Sequence, residues 1–488
     1  MWYNFQKCFP EEWIKLTQTK QSLWSRLSAL FQAQDMTVGK PLVCLLKFSI
    51  PMLIGNIAQM LYSTVDSIVV GKYLGDAALS AIGASGPLQN LFLVVFMAIG
   101  AGVGVMVSQY YGAKEVENLG NSIGNAITLI FLFSLGITAI ATPLTPALLR
   151  LLNTPAETFD MAKAYLVILF IGAAGNGFYN VLSGVLRGLG EALFPFIVLV
   201  CTSLLNVGLD IWFVADLNMG IGGAALATII SQILSSIVCL IKILTMRRTV
   251  TITVKMLRLR KRIVKQIFRL GIPSGISMGV MFIGTLFVQS LINRMGYLVT
   301  AAITAMIRLD GFAILPSQSF SMAAATFTGQ NVGANRDDRV KQGTKTVLTI
   351  CFTFTAVMVV CMHLFGRHLI RLFTDTDLVI NMCMSFIRIL TPGYLIMVIS
   401  NCLFGVMRGA GDTLGPMWIS LMGNVGLRIP FAYLLASLTV SAAYPAGNPT
   451  SIFFSMLIQM GIVAVVTIIY FRKGKWKGKA ITGKGTAE

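Results

Sequence analysis

Three carboxylates lie deep inside long apolar segments of this chain, where a buried charge needs a function. Of its 19 acidic residues, only Asp66, Asp210 and Asp310 fall well inside such segments. A carboxylate within a membrane is costly, so each is expected to bind an ion, pair with a cation or face a polar path. For each of the three, a purely structural role within a polar network stays open.

Asp66 and Asp210 are predicted to converge with two other oxygen-bearing side chains. At about 1.5 Å of helix rise per residue, Asp66, Asp210 and Thr228 lie roughly 10 Å below the same membrane surface. Asn206 precedes Asp210 by one helical turn and shares its face. Two close carboxylates in a low dielectric cannot both ionise cheaply, so one would hold a proton near neutral pH. The same oxygens could instead ligate sodium, so this set predicts a proton or sodium site.

The third buried acid, Asp310, has arginines rather than acids as its predicted neighbours. Arg308 is two residues away, and residues at that spacing do not face each other on a helix. Arg388 and Arg428 fall at mid-membrane depth in the same half of the chain. Because a buried charge needs a partner, Asp310 is expected to pair with one of these arginines. The alternative is that it lines the substrate path.

The elements that position these residues are predicted to be membrane helices. Apolar residues make up 56% of the chain and charged residues 12%, whereas soluble proteins carry about 25% charged residues. At about 20 residues per membrane helix, the apolar segments number about twelve. They run over 41–71, 79–110, 121–149, 161–186, 192–215, 220–246, 271–293, 299–329, 346–366, 378–407, 414–438 and 450–471. The predicted fold class is an all-α polytopic membrane protein with twelve transmembrane helices.

The loop charges predict the orientation. With the N-terminus inside, the predicted cytoplasmic loops hold most of the lysines and arginines, and the outer loops hold few, which is the positive-inside pattern. We therefore expect a multi-pass protein of a bacterial-type cytoplasmic membrane with both termini cytoplasmic. The central connector from Lys242 to Arg269 is basic and contains no acid. Contact with anionic lipid headgroups explains it better than nucleic-acid binding does.

The two halves of the sequence repeat. Gln109-Tyr-Tyr-Gly-Ala113 returns as Gln330-Asn-Val-Gly-Ala334, and Arg187-Gly-Leu-Gly-Glu191 returns as Arg408-Gly-Ala-Gly-Asp412, both at an offset of 221 residues. Ile50-Pro51 returns as Ile272-Pro273. Six helices per half make this a parallel repeat, with the substrate expected between the halves. The Arg-Gly-x-Gly stretches lack the context of a phosphate loop and are interpreted as tight turns.

The predicted organisation has five parts. They are an N-terminal extension (1–38), an N-lobe with helices 1–6 (39–246), a basic linker (247–268), a C-lobe with helices 7–12 (269–472) and a basic tail (473–488). The extension is either an interfacial amphipathic helix or a poorly ordered segment that precedes a start at Met36. Scattered cysteines and only two histidines make a catalytic metal site improbable.

Seven short stretches between about Met36 and Phe471 carry a family resemblance. They are Lys47-Phe-Ser-Ile-Pro51, Tyr62-Ser-Thr-Val-Asp66-Ser-Ile-Val-Val-Gly71, Val107-Ser-Gln-Tyr-Tyr-Gly-Ala113, Arg187-Gly-Leu-Gly-Glu191, Gly223-Ala-Ala-Leu-Ala-Thr228, Gly271-Ile-Pro273 and Arg408-Gly-Ala-Gly-Asp412. These stretches resemble the multidrug and toxic compound extrusion (MATE) family over nearly the whole chain. The resemblance implies two six-helix lobes, a central cavity of alternating access, and extrusion driven by a proton or sodium gradient.

The resemblance also bears on the cation site. In the DNA-damage-inducible-F branch of the family, a matching Asp, Asn, Asp and Thr set forms the N-lobe cation site. This sequence keeps that set as Asp66, Asn206, Asp210 and Thr228. Other branches carry an additional acid in helices 7 and 10, whereas here Met281 stands at about the helix 7 position. A second cation site in the C-lobe is therefore not expected.

These features together predict a cation-coupled multidrug efflux antiporter that exports amphiphilic, often cationic small molecules. Substrate is expected to meet methionine, phenylalanine and small polar side chains, with Gln59, Tyr62, Asn180 and Gln289 as cavity candidates. A flippase for a lipid-linked precursor is the alternative, which the C-lobe arginines keep open. A membrane-embedded enzyme is disfavoured because no metal triad or nucleophile–base pair is found. No cofactor beyond the coupling ion is expected, and the chain is expected to act as a monomer.

Overall fold

The computed structural model describes residues 34–482 except 153, 248, 372–375 and 443, and it does not describe the side chains at 61–71, 76, 79 and 308. Within this part of the chain the structure consists of helices and short connections, with no β-strand. The first helical run, Pro41–Gly112, breaks at Gly75, whose φ of 80° lies in the left-handed region that favours glycine. We therefore call 41–74 helix α1 and 76–112 helix α2.

The remaining helices are numbered in chain order. They are α3 (Val116–Leu151), α4 (Ala156–Ile171), α5 (Ala173–Gly188), α6 (Leu193–Ile211), α7 (Gly220–Thr245), α8 (Lys261–Arg294), α9 (Tyr297–Gly333), α10 (Asp337–Arg371), α11 (Asp377–Gly409), α12 (Leu414–Leu421), α13 (Arg428–Leu438) and α14 (Thr450–Arg472). A π-helical turn, Trp212–Asp216, extends α6, and a second one, Met422–Leu427, joins α12 to α13.

These helices make twelve membrane spans. Eleven helical segments of the described chain are long and apolar enough to cross a membrane. Helices α4 and α5 bend by 51° at the residue between them and together make one more span. The predicted all-α architecture of twelve transmembrane helices is thus confirmed, and the fourth span is bent where the sequence showed one apolar segment.

One end of the helix bundle carries most of the basic residues, and we call it the basic end. It comprises the connections 113–115, 189–192, 246–260, 334–336 and 410–413, with the terminal segments 34–40 and 473–482. Here the first helix of each half starts against the core of the other half. Leu45 and Phe48 of α1 are buried in a cluster with Phe327 of α9. Ile267 of α8 is buried in a cluster with Ile123 of α3.

At the opposite end of the bundle the described residues of the two halves form separate cores. One buried cluster there consists of residues between 78 and 225, and the other consists of residues between 288 and 453. Each cluster lies within one half of the chain. Among the described residues, the halves are therefore packed together at the basic end and packed separately at the opposite end.

A buried glutamine from the repeated motif joins the first half to the second at the basic end. Gln109, which is fully buried, donates a hydrogen bond from Nε2 to the carbonyl of Gly409, at 2.8 Å. Its Oε1 accepts a hydrogen bond from the backbone N–H of Ile481, at 2.7 Å. The C-terminal segment of the chain is thereby held against the first half.

The equivalent glutamine of the second half makes the corresponding bonds to the first half. Gln330 donates from Nε2 to the carbonyl of Gly188, at 3.1 Å, and accepts from the N–H of Met36, at 2.8 Å. Each glutamine thus binds the tight turn of the other half with one amide atom and a terminal segment with the other. All four backbone groups are buried, so water cannot reach them. The two glutamine side chains supply the hydrogen bonds that water would otherwise make.

The repeated glycines of the same motif let the two backbones approach at this point. A Cβ on Gly112 would lie 1.9 Å from the carbonyl oxygen of Gln330, and one on Gly333 would lie 2.0 Å from the carbonyl oxygen of Gln109. Any larger residue would push α2 and α9 apart. The close crossing explains why glycine follows the glutamine by three residues in both copies of the motif.

Replacing Gln330 with leucine should destabilise the protein by about 1–3 kcal/mol, because the Gly188 carbonyl and the Met36 N–H would stay buried without a partner. Thermal unfolding of the purified protein in detergent measures this loss. The matched control is Gln342→Leu on the exposed face of α10, which should change stability by no more than about 0.5 kcal/mol. Equal melting temperatures for the two variants would contradict the role assigned to Gln330.

Candidate functional site

The candidate cation site of the first half is built on one face of α6. Asn206 and Asp210 are four residues apart, and their exposed fractions are 1% and 0%. Thr202 and Val198 continue the same buried face toward the basic end. Every fourth residue of α6 is therefore turned inward, as the helical spacing predicts, and the face changes from apolar to polar with distance from the basic end.

Helix α7 supplies the neighbouring wall. The hydroxyl of Ser235 donates a hydrogen bond to the hydroxyl of Thr202, at 2.7 Å, which fixes the register of the two antiparallel helices. Two turns further along each helix lie Asp210 on α6 and Thr228 on α7, so they occupy the same depth. Thr228 is half-buried and donates its hydroxyl proton to the Ala224 carbonyl, at 3.0 Å. Its oxygen lone pairs remain suited to an additional acceptor role.

The fourth predicted residue of this site, Asp66, lies outside the described side chains. Its backbone is helical within α1, between Met60 and the break at Gly75. The structure thus brings Asn206, Asp210 and Thr228 to one level of the first half, whereas the convergence of Asp66 with them stays a prediction. The three described side chains offer carboxylate, amide and hydroxyl oxygens, a donor set that suits a proton or a hard cation.

A feature that the sequence does not reveal lies next to Asp210. The α-helix ends at Ile211 and continues as the π-helical turn Trp212–Asp216. Single π-turns inside helices frequently occur at functional sites, because they widen the helix and rotate the residues that follow. The second half has such a turn directly before Arg428. In each half, a π-turn therefore adjoins an inward charged residue.

The second half holds Asp310 in a different environment. The hydroxyl of Tyr394, which is itself buried, donates a hydrogen bond to Asp310. Arg428 interacts with Asp310 electrostatically, but no ion pair within 4.0 Å joins Asp310 to a described arginine. Arg388 is exposed, and the side chain of Arg308 lies outside the described residues. The tyrosine partner has no sequence signal, since Tyr394 lies 84 residues away on α11.

The four predicted cavity residues do not form one described contact set. Gln59 is exposed, and the side chain of Tyr62 is not among those described. Asn180 and Gln289 are half-buried, and each binds an asparagine of its own helix: Asn180 donates to Asn176, at 2.8 Å, and Gln289 donates to Asn293, at 2.9 Å. Their role in a cavity stays a prediction.

A polar layer that the sequence does not single out crosses the boundary between the halves. Asn56 of α1 donates a hydrogen bond to the hydroxyl of Ser319 on α9, at 3.0 Å. Asn401 of α11 donates to the hydroxyl of Ser317, at 2.7 Å, and its carbonyl accepts from Ser321. The bond between Asn56 and Ser319 thus joins α1 to the second half through polar side chains.

The two Arg-Gly-x-Gly turns hold the buried acids Glu191 and Asp412 at the basic end. Both are tight turns, as predicted, with Gly190 and Gly411 at positive φ. Asp412 is fully partnered: its carboxylate accepts from Tyr470, at 2.8 Å, from Lys479, at 2.9 Å, and from the Gly415 N–H.

Its counterpart Glu191 has fewer partners. Oε1 accepts from the Phe194 N–H at the start of α6, at 3.0 Å, and Oε2 has no hydrogen-bond partner among the described residues. Burial raises the pKa of Glu191 to about 7, and the nearby Lys242 ammonium offsets this only in part. The protonated form is therefore favoured in the folded protein more than in the unfolded chain.

The raised pKa of Glu191 predicts a pH-dependent stability. Because the folded-state pKa lies above the unfolded one, stability falls as the pH rises from about 4.5 to about 7, by an amount on the order of 3 kcal/mol. A Glu191→Gln variant lacks this loss of stability. The difference between its melting temperature and that of wild type should therefore increase in favour of the variant from pH 5 to pH 8.

The matched control is Asp412→Asn on the equivalent turn. It removes a carboxylate that is paired with Lys479, so it should lower the melting temperature without any relative gain as the pH rises. A Glu191→Gln variant whose melting temperature tracks wild type at every pH would show that Glu191 does not titrate in this window.

Comparison with known proteins gives the class of the fold. A family model described as MatE matches residues 51–212 and again residues 273–434, once in each half. A probable multidrug resistance protein of Bacillus subtilis (strain 168), YoeA, is 27% identical over 89% of this chain and 94% of its own length. NorM of Thermotoga maritima, described in the same words, is 27% identical over 90% of this chain and 93% of its own.

Solved structures show the same architecture. One, described as the outward-facing conformation of a multidrug resistance MATE family transporter of the MOP superfamily, superposes with a TM-score of 0.83. It is 25% identical and covers 91% of this chain and 98% of that one. The chain therefore belongs to the MatE family of membrane transporters. Within that class it is related to multidrug resistance transporters, so it is a transporter of small molecules and not an enzyme.

The family assignment confirms the predicted class of function, multidrug transport, together with the doubled six-helix plan. The likeness to the DNA-damage-inducible-F branch stays a prediction. The roles of the cation-site residues, the cavity residues and the arginine network likewise stay predictions.

Proposed function

We propose that this chain is a cation-coupled multidrug efflux antiporter that works by alternating access. The observation that carries the proposal is the buried face of α6, where Asp210 lies at the depth of Thr228 on α7 and Asn206 lies one turn away. A fully buried carboxylate within a membrane span is costly, and such residues commonly mark ion or proton paths. The proposed ligands are Asp66, Asn206, Asp210 and Thr228, and the proposed ion is a proton or sodium.

The packing of the two halves supports a mechanism of alternating access. The halves share buried clusters at the basic end and have separate clusters at the opposite end. The positive-inside pattern puts the basic end in the cytoplasm, so a path between the halves would open outward in this arrangement. The ion drives transport only if it binds the outward-open and inward-open arrangements with different affinity.

In the proposed cycle, the ion enters the site from outside, and its binding favours release of an amphiphilic, often cationic substrate to the outside. The return to the inward-open arrangement releases the ion and admits new substrate. The polar layer of Asn56, Ser319 and Asn401 lies where such a substrate would pass between α1 and the second half. The protein is proposed to act as a monomer in a bacterial-type cytoplasmic membrane, with both termini inside and anionic lipid at its basic linker. The multidrug resistance relatives give no support to the flippase alternative.

The coupling role of the carboxylates can be tested in proteoliposomes with separately imposed pH and sodium gradients. Asp210→Asn and Asp66→Asn should each abolish gradient-driven drug efflux, because neither amide can release a proton or supply the anionic ligand. Cellular drug resistance should be lost while the amount of protein in the membrane stays unchanged. Full gradient-driven efflux by either variant would refute the coupling role of that residue.

Met281→Ala is the matched control within the second half. Met281 is 51% exposed on α8 and is not expected to hold an ion, so this variant should keep most of the gradient-driven efflux. Complete inactivation of Met281→Ala would point instead to a second coupling site in the second half. The gradient that drives efflux in wild type identifies the ion.

A further inference from the structure

A groove of about 530 Å³ opens on the outer surface of the second half, between α10, α11 and α14. Its size falls within the range of small-molecule sites. Leu348 and Phe352 of α10 and Leu403 of α11 form apolar walls, and Phe352 is 48% exposed. Arg472, the last residue of α14, lies at the basic end of the groove. The groove thus runs from a cationic mouth into the apolar part of the membrane-facing surface.

The equivalent region of the first half is covered by the chain itself. The linker between the halves lies across α3, where the backbone and side chain of Met256 contact the positions of Gly120 and Gly124. The hydroxyl of Thr128 donates a hydrogen bond to the Leu257 carbonyl, at 2.7 Å. The segment that covers this region of the first half is therefore apolar and also contains basic residues.

No described segment covers the same positions in the second half. At the repeat offset of 221 residues, Gly120, Gly124 and Thr128 correspond to Lys341, Lys345 and Thr349, and all three of these are exposed.

The segment that follows α14 covers only the end of the groove. Trp476 stacks on Phe471, with the ring centroids 4.9 Å apart, and the segment then crosses to the first half, where the Ile481 N–H binds Gln109. At these positions the second half thus exposes two lysines, whereas the linker covers the matching positions of the first half.

The basic side chains at the basic end of the groove have no described acidic partner. Neither Arg472 nor Lys345 belongs to an ion pair within the described part of the chain. Thr349, which lines the groove together with Arg472, lies one helical turn after Lys345, so Lys345 is on the groove side of α10 at the basic end. A ligand that fits must therefore carry negative charge at the membrane surface and an apolar body below it.

We propose that this groove binds an anionic glycerophospholipid, with an acyl chain along Leu348, Phe352 and Leu403 and the phosphate beside Arg472 and Lys345. The groove opens on the membrane-facing surface, so a bilayer lipid reaches it without leaving the membrane. Basic pockets between transmembrane helices are the ordinary recognition sites for anionic headgroups. The lipid would do for the second half what the linker does for the first: it would close the gap between the third, fourth and sixth spans.

Native mass spectrometry of the full chain tests the proposal, with phosphatidylglycerol and phosphatidylcholine of identical acyl chains as probes. Wild type should bind phosphatidylglycerol in preference. The double variant Arg472→Gln, Lys345→Gln should lose that preference by about tenfold, since each surface cation contributes to binding an anionic lipid. The matched control, Lys163→Gln, Arg294→Gln, removes two exposed cations at the opposite end of the bundle and should keep it.

A second measurement locates the lipid within the groove. Phe352→Trp introduces a reporter whose fluorescence should be quenched more by brominated phosphatidylglycerol than by brominated phosphatidylcholine. Adding Arg472→Gln and Lys345→Gln should abolish the difference. Equal quenching by the two lipids in the otherwise wild-type protein, or an unchanged phosphatidylglycerol preference in the double variant, would overturn the proposal. Neither readout depends on transport.

Discussion

The arrangement of the two halves depends on two buried amides at the basic end. Gln109 and Gln330 each reach across to a backbone carbonyl of the other half, and each also receives an N–H from a terminal segment. A buried amide makes such bonds only where both helices approach closely, and Gly112 and Gly333 provide that approach. Four distant pieces of the chain thus meet at one layer, while the described residues at the opposite end form no shared core. An arrangement with the basic end open would have to break all of these bonds.

Against this symmetric scaffold, the charged residues are distributed unequally. The first half buries Asp210 beside amide and hydroxyl groups, whereas the second half buries Asp310 against Tyr394 with Arg428 nearby. The same inequality recurs at the basic end, where Asp412 is fully partnered and Glu191 is not. A duplicated fold therefore supplies two equivalent frames whose buried charged residues differ, and the first of them is the proposed ion-binding half.

Much of the fold was predictable because membrane helices leave a strong signal. The twelve apolar segments, the repeat and the tight Arg-Gly-x-Gly turns follow from composition and spacing, and so does the shared inward face of Asn206 and Asp210. The glutamine bonds, the Tyr394 partner and the π-turns were not predictable. They depend on residues tens to hundreds of positions apart, or on one extra residue in a helical turn, and neither leaves a periodic pattern. The side chain of Asp66 lies outside the described residues, so its predicted place in the site stays a prediction.

The first helix of each half begins in the core of the other half and ends in the core of its own half. This arrangement determines how the helix responds when the halves move. Helix α1 starts with Phe48 against α9 and continues with Gly55 against Phe196 of α6. Beyond this point α1 contacts both halves, because Asn56 also binds Ser319 of α9, so a rotation of the halves would bend the helix. Pro51 lies between the two anchoring points, and a proline lacks the backbone bond that would resist bending. Pro273 holds the corresponding place in α8, so the first helix of each half bends most easily at a matching position.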